Sequence, residues 1–158
     1  MMDITRKLEI LADAAKYDAS CILMHIKGTP QDMHHDPQYD NITKEVMDYF
    51  NNKLNNLHSM NVRDVIIDPG FGFEKTIAHN FELLRNLSAF KKFNCPVMIG
   101  VSRKSSIYKT LGVSAEEELN GTTVLNTLAL VNGADILRVH DVKEAKETIK
   151  LYTAYFEK

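Results

Sequence analysis

In Val65-Ile66-Ile67-Asp68-Pro69-Gly70-Phe71-Gly72-Phe73-Glu74-Lys75-Thr76 a β-branched run stops on an acid. The run 65–67 is short, apolar and bounded by a turn signal, so it predicts a buried strand. Pro69 fixes its own φ and has no N–H, so regular pairing ends there. Gly70 and Gly72 allow a tight turn and let backbone lie close to a ligand. Phe71 and Phe73 add flat apolar surface. The expected product is a carboxylate at the mouth of a strand, beside exposed backbone and an aromatic wall. A plain turn with two packed phenylalanines is the other outcome of the same residues, and the flanking chain has to decide between them.

Working outward, strand-like and helix-like segments alternate on both sides. A helix is predicted over 3–17, capped by Asp3, with Ile4, Leu8, Leu11, Ala12 and Ala15 in one stripe. A strand over 20–24 ends at His25 and leads into a long polar loop, 26–37, of a length that is often functional. A helix over 41–60 turns Ile42, Val46, Phe50, Leu54 and Leu57 inward. Beyond the Asp68 loop come a helix over about 78–90 (Phe81, Leu84 and Leu87 at helical spacing) and a strand over 96–99. Then follow Gly100-Val101-Ser102-Arg103-Lys104-Ser105-Ser106, a short helix over 107–111 and a longer one over 115–131. Asn120-Gly121-Thr122-Thr123 predicts a break or kink inside that longer helix. A strand over 135–139, His140-Asp141 and a helix over 142–156 complete the order, the last helix turning Ala145, Ile149, Tyr152 and Phe156 inward.

The order αβαβαβαβα argues for an α/β fold with a parallel sheet and right-handed crossovers. The strand ends at His25, Asp68, Gly100 and His140 are each about one βα unit apart. A parallel (β/α)8 barrel needs eight such units and typically ~250 residues. Four strands amount to half a barrel, with two open edges that invite pairing. The 158 residues, 44% hydrophobic, suffice for one domain, and no boundary or linker interrupts them. A net charge of −2 points to neither nucleic acid nor a membrane surface, and no apolar run approaches the ~18 residues of a membrane span. Cys21 and Cys95 lack a CxxC partner, which in a chain without a secretory signal reads as a reduced, cytoplasmic protein.

Polar groups gather where each strand stops: His25 and Lys27, then Asp68 with Lys75 beyond, then Ser102, Arg103 and Lys104, then Arg138, His140 and Asp141. Barrels and open α/β sheets hold ligands at that rim. Lys27, Lys104, Arg138 and His140 are expected to converge with one clear acid, Asp68. A carboxylate accepts two hydrogen bonds from adjacent N–H groups. An arginine stacks on a flat ring and still reaches phosphate oxygens. The chemistry suits a flat nitrogen heterocycle carrying phosphate.

Four segments, in order, resemble the signatures of the dihydropteroate synthase family: Leu23-Met24-His25-Ile26-Lys27-Gly28-Thr29-Pro30, Asp68-Pro69-Gly70-Phe71-Gly72-Phe73, Gly100-Val101-Ser102-Arg103-Lys104-Ser105 and Arg138-Val139-His140-Asp141-Val142. The resemblance covers essentially the whole chain, 1–158, and implies the last four βα units, the C-terminal half, of a TIM-type (β/α)8 pterin-binding domain. It implies a transferase of folate biosynthesis that joins dihydropterin pyrophosphate to p-aminobenzoate and releases pyrophosphate, with sulfonamides competing for the second substrate. Asp68 would pair with the amino-pyrimidine edge of the pterin and Met24 would line its slot. Lys104 would hydrogen-bond the pterin, with its stem beside the aminobenzoate. Arg138 would pack on the ring, and Arg138 and His140 would hold the pyrophosphate. Phe73 and Ser102 would border the aminobenzoate. Glu74 stands where many relatives have glycine. The implied cofactor is Mg2+, with its main protein ligand in the N-terminal half, and the family's dimers imply a homodimer.

Three readings follow. The chain is the C-terminal half of a synthase, incomplete by itself, as a truncated chain, a split gene product that a separate N-terminal half completes, or a broken reading frame. Or it is an inactive pterin-binding or assembly fragment. Or it is related to pterin-dependent methyltransferases, which the Ser102-Arg103-Lys104 and Arg138-Val139-His140 segments disfavour. His25, His34 and His35 match no standard metal-ligand spacing, so no metal site is expected in this chain. The cysteines read as buried, inert thiols, His58 and His79 as helix-end residues, and Lys75 as a solvated loop cation.

Overall fold

A computed structural model describes residues 13–17, 19–27 and 38–157. Most of the helix expected over 3–17 and most of the 26–37 loop, with His34 and His35, lie outside the described residues; 13–16 are helical. The described elements run β1 (Cys21–Met24), α1 (Ile42–Ser59), β2 (Val65–Asp68), α2 (Ile77–Arg85), a 3-10 segment (Leu87–Phe93), β3 (Met98–Ile99), α3 (Ser105–Leu111), α4 (Leu119–Val131), β4 (Ile136–Leu137) and α5 (Val142–Phe156).

Every strand pairing is parallel. β1 lies on β2 with Cys21 opposite Val65 and Met24 opposite Asp68. β3 lies on β4 with Met98 opposite Ile136. One bridge, Ile67 to Val97, joins the two pairs, and the Ile67 N–H donates to the Pro96 carbonyl at 3.0 Å. Strand order therefore follows chain order, with helices as the crossovers. Asp68 falls inside β2 and not just after it, because the His25 N–H donates to its carbonyl at 2.9 Å and extends the ladder by one residue.

The α1 stripe is as expected: Ile42, Val46, Phe50, Leu54 and Leu57 are all buried, and the Asn41 side chain caps the helix by accepting from the Lys44 N–H. Phe50 packs edge-on against Phe90 and Phe93, at centroid distances of 5.8 and 6.1 Å. Burying each such ring is worth ~1.5–3 kcal/mol. Leu87, Val97 and Ile99 continue this core under the strands.

Elsewhere the structure corrects the expected faces. α2 stops at Arg85 and buries Asn80, Leu83 and Leu84, while Phe81 is only half-buried. Leu84 and Leu87 lie in the core with Phe81 packed against it, as their spacing suggests, and Asn80 beside them serves the Asp68 loop, as described below. α4 begins at Leu119, so Asn120–Thr123 form its first turns and no kink interrupts it. Gly121 there lets α3 approach: a Cβ would stand 2.4 Å from Ile107 Cγ2. In α5 only Ala145 and Thr148 are buried, and Ile149 and Phe156, expected inward, are 42% and 54% exposed. α5 rests chiefly on α4, and a helix packed mainly on one neighbour buries a narrower stripe. Cys21 is buried, Cys95 half-buried, and both are free thiols. Among the described residues no helix is long and apolar enough to cross a membrane.

A candidate binding site at the strand ends

Asp68 is 1% exposed. Its Oδ1 accepts the Gly70 N–H at 2.8 Å, and its Oδ2 accepts from Arg138 Nη2 at 3.1 Å. Burial pushes its carboxyl pKa upward, and the Gly70 N–H, Arg138, Lys75 and Lys104 pull it back. A buried carboxylate with this many donors around it stays useful as an acceptor. Gly70 makes the turn possible: its φ is +74°, and a Cβ would lie 2.1 Å from the His25 carbonyl oxygen.

Arg138 reaches Asp68 from the end of β4 by lying across Gly100, where a Cβ would come within 2.9 Å of its Nε and Nη2. Lys104 arrives from the start of α3. Its Nζ sits 4.1 Å from the centroid of the Phe73 ring, and its stem fills the space over Gly72, where a Cβ would meet Cδ at 2.8 Å. Burial and the neighbouring Arg138 lower the Lys104 pKa, while Asp68 raises it. Met24 stands beside Asp68 on β1, in register with it. Met24, Asp68, Phe73, Lys104 and Arg138 are thus brought to one place.

Ser102 and His140 form a second group on the same rim. Ser102 is buried; its Oγ lies 3.1 Å from His140 Nδ1 and accepts the His140 N–H at 3.2 Å. Ser102 therefore ties the end of β3 to the end of β4. Beside it, the Arg103 guanidinium holds both oxygens of Asp141, at 2.6 and 3.1 Å, which keeps the Asp141 carboxyl below the ordinary carboxylate range. Glu118 is buried nearby, in the field of Arg103, Asp141 and His140.

Two expectations fail at the rim. Lys27 turns away from Asp68: its Nζ donates to the Gln38 carbonyl at 2.6 Å and to Glu45 at 3.1 Å, over the Tyr39 ring. The first turn of α1 captures it. Lys75 is not a solvated cation. Its Nζ contacts the Gly70 and Phe73 carbonyls, each at 3.0 Å, and His25 Nδ1 at 3.1 Å. Burial lowers its pKa to about 8. His25 is buried against Tyr49, and burial followed by Lys75 and Lys27 lowers its pKa to about 3.

Asn80 and Ser106 were not legible as site residues. Asn80 Oδ1 accepts the Gly72 N–H at 2.7 Å, and its Nδ2 donates to Ser106 Oγ at 3.1 Å. The available signal was an asparagine inside the apolar stripe of a helix. Glu74 adopts φ +48°, the left-handed region that glycine fits at lowest cost. His79 is a capping residue of α2: its Nδ1 accepts the Thr76 N–H, and its own N–H donates to Thr76 Oγ1.

Chemically, the rim offers an acceptor pair on Asp68, a cation over an aromatic ring, and a guanidinium between them. Among the described residues no three His, Cys, Asp or Glu side chains gather as a metal cage.

Residues 2–140 match the family model described as "Pterin binding enzyme". Over 149 residues the chain is 41% identical to the bifunctional dihydropteroate synthase/dihydropteroate reductase of Helicobacter pylori, covering 94% of this chain and 39% of that protein. It is 38% identical over 146 residues to the dihydropteroate synthase of Escherichia coli, covering 91% of this chain and 52% of that one. The crystal structure of the Yersinia pestis dihydropteroate synthase in a sulfonamide drug complex is similar with a TM-score of 0.88 at 35% identity, over 92% of this chain and 54% of that one. The chain spans about half the length of the two synthases, and less of the bifunctional protein.

Proposed function

The chain belongs to the pterin-binding enzyme family, and from that premise we propose that it supplies the pterin side of a dihydropteroate synthase site. Its four parallel units in chain order are read as the last half of a (β/α)8 barrel. The observation that carries the proposal is the buried Asp68, paired with Arg138 and standing beside Lys104 on Phe73.

In this reading Asp68 accepts the amino and ring N–H groups of the pterin, and Met24 lines the slot. Lys104 donates to the pterin and lays its stem beside the aminobenzoate. Arg138 packs on the ring and, with His140, holds the pyrophosphate. Phe73 and Ser102 border the aminobenzoate, Ser102 by fixing His140. The C–O bond to pyrophosphate breaks first, its electron pair leaving with the pyrophosphate. The arylamine nitrogen then bonds to the cationic methylene carbon and releases its proton to solvent. No side chain acts as a covalent nucleophile; the residues position the reactants and stabilise separated charge. A sulfonamide would compete with the aminobenzoate.

The rim's donor set does not fit a protein-held Mg2+. Lys104, Arg138 and His140 are basic, and Asp68 and Asp141 are each engaged by an arginine. No step is routed through the metal, and any Mg2+ is proposed to arrive with the pyrophosphate or on residues outside this chain. A homodimer is also proposed, on the apolar face that α4 and α5 expose with Val124, Leu128, Val131, Leu151, Tyr155 and Phe156. The two free cysteines fit a reducing, cytoplasmic setting.

The test is pyrophosphate release from dihydropterin pyrophosphate, p-aminobenzoate and magnesium by the purified chain. The expected result is pterin binding without turnover, and product after a family N-terminal half is added. Loss of pterin binding in Asp68→Asn supports the site. Undiminished binding in that variant overturns it.

A further inference from the structure

Lys75 has no role in the reading above, yet three groups of the rim converge on it. Its Nζ lies 3.0 Å from the Gly70 oxygen, 3.0 Å from the Phe73 oxygen and 3.1 Å from His25 Nδ1. An ammonium has three N–H donors and no acceptor, so all three are engaged within the chain. None is left for a ligand. The two carbonyls lie on either side of Phe71-Gly72, so the loop is closed around the ammonium. Gly70 is in contact with it as well, since a Cβ there would stand 3.2 Å from Nζ. The next residue, Thr76, caps α2, which fixes the lysine's backbone.

We infer that Lys75 is a positioning residue, the centre about which the Asp68 loop closes, and that it holds His25 in the tautomer with its proton on Nε2. The second half follows from hydrogen bonding alone: an ammonium only donates, so the Nδ1 facing it must accept. The inference rests on reading Asp68 as the pterin contact. The charged groups that act on this pair are Asp68 and Glu74 on Lys75, and Lys27 on His25. Lys104 and Arg138 face Asp68 in turn. Burial weakens the hold of Lys75 on its proton. When the amine becomes neutral it has two N–H groups for three acceptors. His25 must then move its proton to Nδ1 and donate to the amine lone pair.

The experiment is nitrogen-15 NMR on the full chain, comparing the unmodified protein with Lys75→Met and Lys75→Arg. At pH 7 the unmodified chain should show His25 as the Nε2–H tautomer, with slow exchange of the Gly70 and Gly72 amides. Lys75→Met should mix the two tautomers and speed both amides at least tenfold, leaving the Phe50 amide of α1 unchanged. Lys75→Arg, which keeps a cation, should recover most of the protection. Unchanged tautomer and exchange in Lys75→Met would overturn the inference. Should Lys75→Met fail to fold, alkaline titration of the unmodified chain decides: the His25 tautomer should switch with a midpoint near 8, and a constant tautomer up to pH 10 overturns the inference. A pterin titration completes the set. Lys75→Met should bind at least tenfold more weakly, and equal binding counts against a positioning role. If the unmodified chain binds no pterin, the proposed function falls, and tautomer and exchange alone judge Lys75.

Discussion

Asp68 and His25 stand side by side at the rim, and burial acts on them in opposite senses, raising the one pKa and lowering the other. Asp68→Asn keeps the shape but removes the charge that pairs with Arg138 and that, on the proposed reading, a pterin would use. Pterin affinity should fall at least tenfold, about 1.4 kcal/mol, in a fluorescence titration. For His25 the folded pKa of about 3 lies below the ordinary 6.5. The unfolded chain therefore binds the extra proton first, and stability contributed here is complete above pH 6.5 and lost as pH falls toward 3. Between pH 7 and pH 5 urea denaturation should register a loss of about 2 kcal/mol, and His25→Asn should flatten that slope. That Asp68, Lys104 and Arg138 gather at one rim was legible, because each follows the C-terminal part of a strand within a few residues. Lys27 was misread because Glu45 and Tyr39, from the following segment, capture it. Lys75 was misread because its third partner, His25, is set by a different strand. Local sequence carries no information on either meeting.

At the level of elements, the glycines decide how closely the parts approach. Gly100→Ala would drive a Cβ into the Arg138 guanidinium. The fold should survive, while pyrophosphate binding, followed by calorimetry, weakens about tenfold, equivalent to about 1.4 kcal/mol. Asn80→Ala should cost about 1–3 kcal/mol, since it leaves the Gly72 N–H and Ser106 without their partner; in a domain of this size that lowers Tm by roughly 2–4 °C per kcal/mol. The stripe of α1 could be read in full from its periodicity, because one broad apolar core receives it. α5 could not, because it packs mainly on α4 and buries only Ala145 and Thr148 of its stripe.

For the whole molecule, the alternation of units foretold the parallel strands and their order, because a parallel pair needs a crossover of helical length. The proposed homodimer would use a surface that periodicity does not report. Light scattering should give twice the 18.0 kDa chain mass, and Leu128→Glu with Val131→Glu should return the monomer, since a charge at the centre of an apolar interface is costly. The two strand pairs meet at one bridge, and the ion pair from Asp68 on β2 to Arg138 beyond β4 also spans that seam. On the proposed reading, a heterocycle whose N–H groups take Asp68 would replace this ion pair, and the guanidinium would turn to the ligand's anionic end, so the two halves of one substrate should bind in order and not independently.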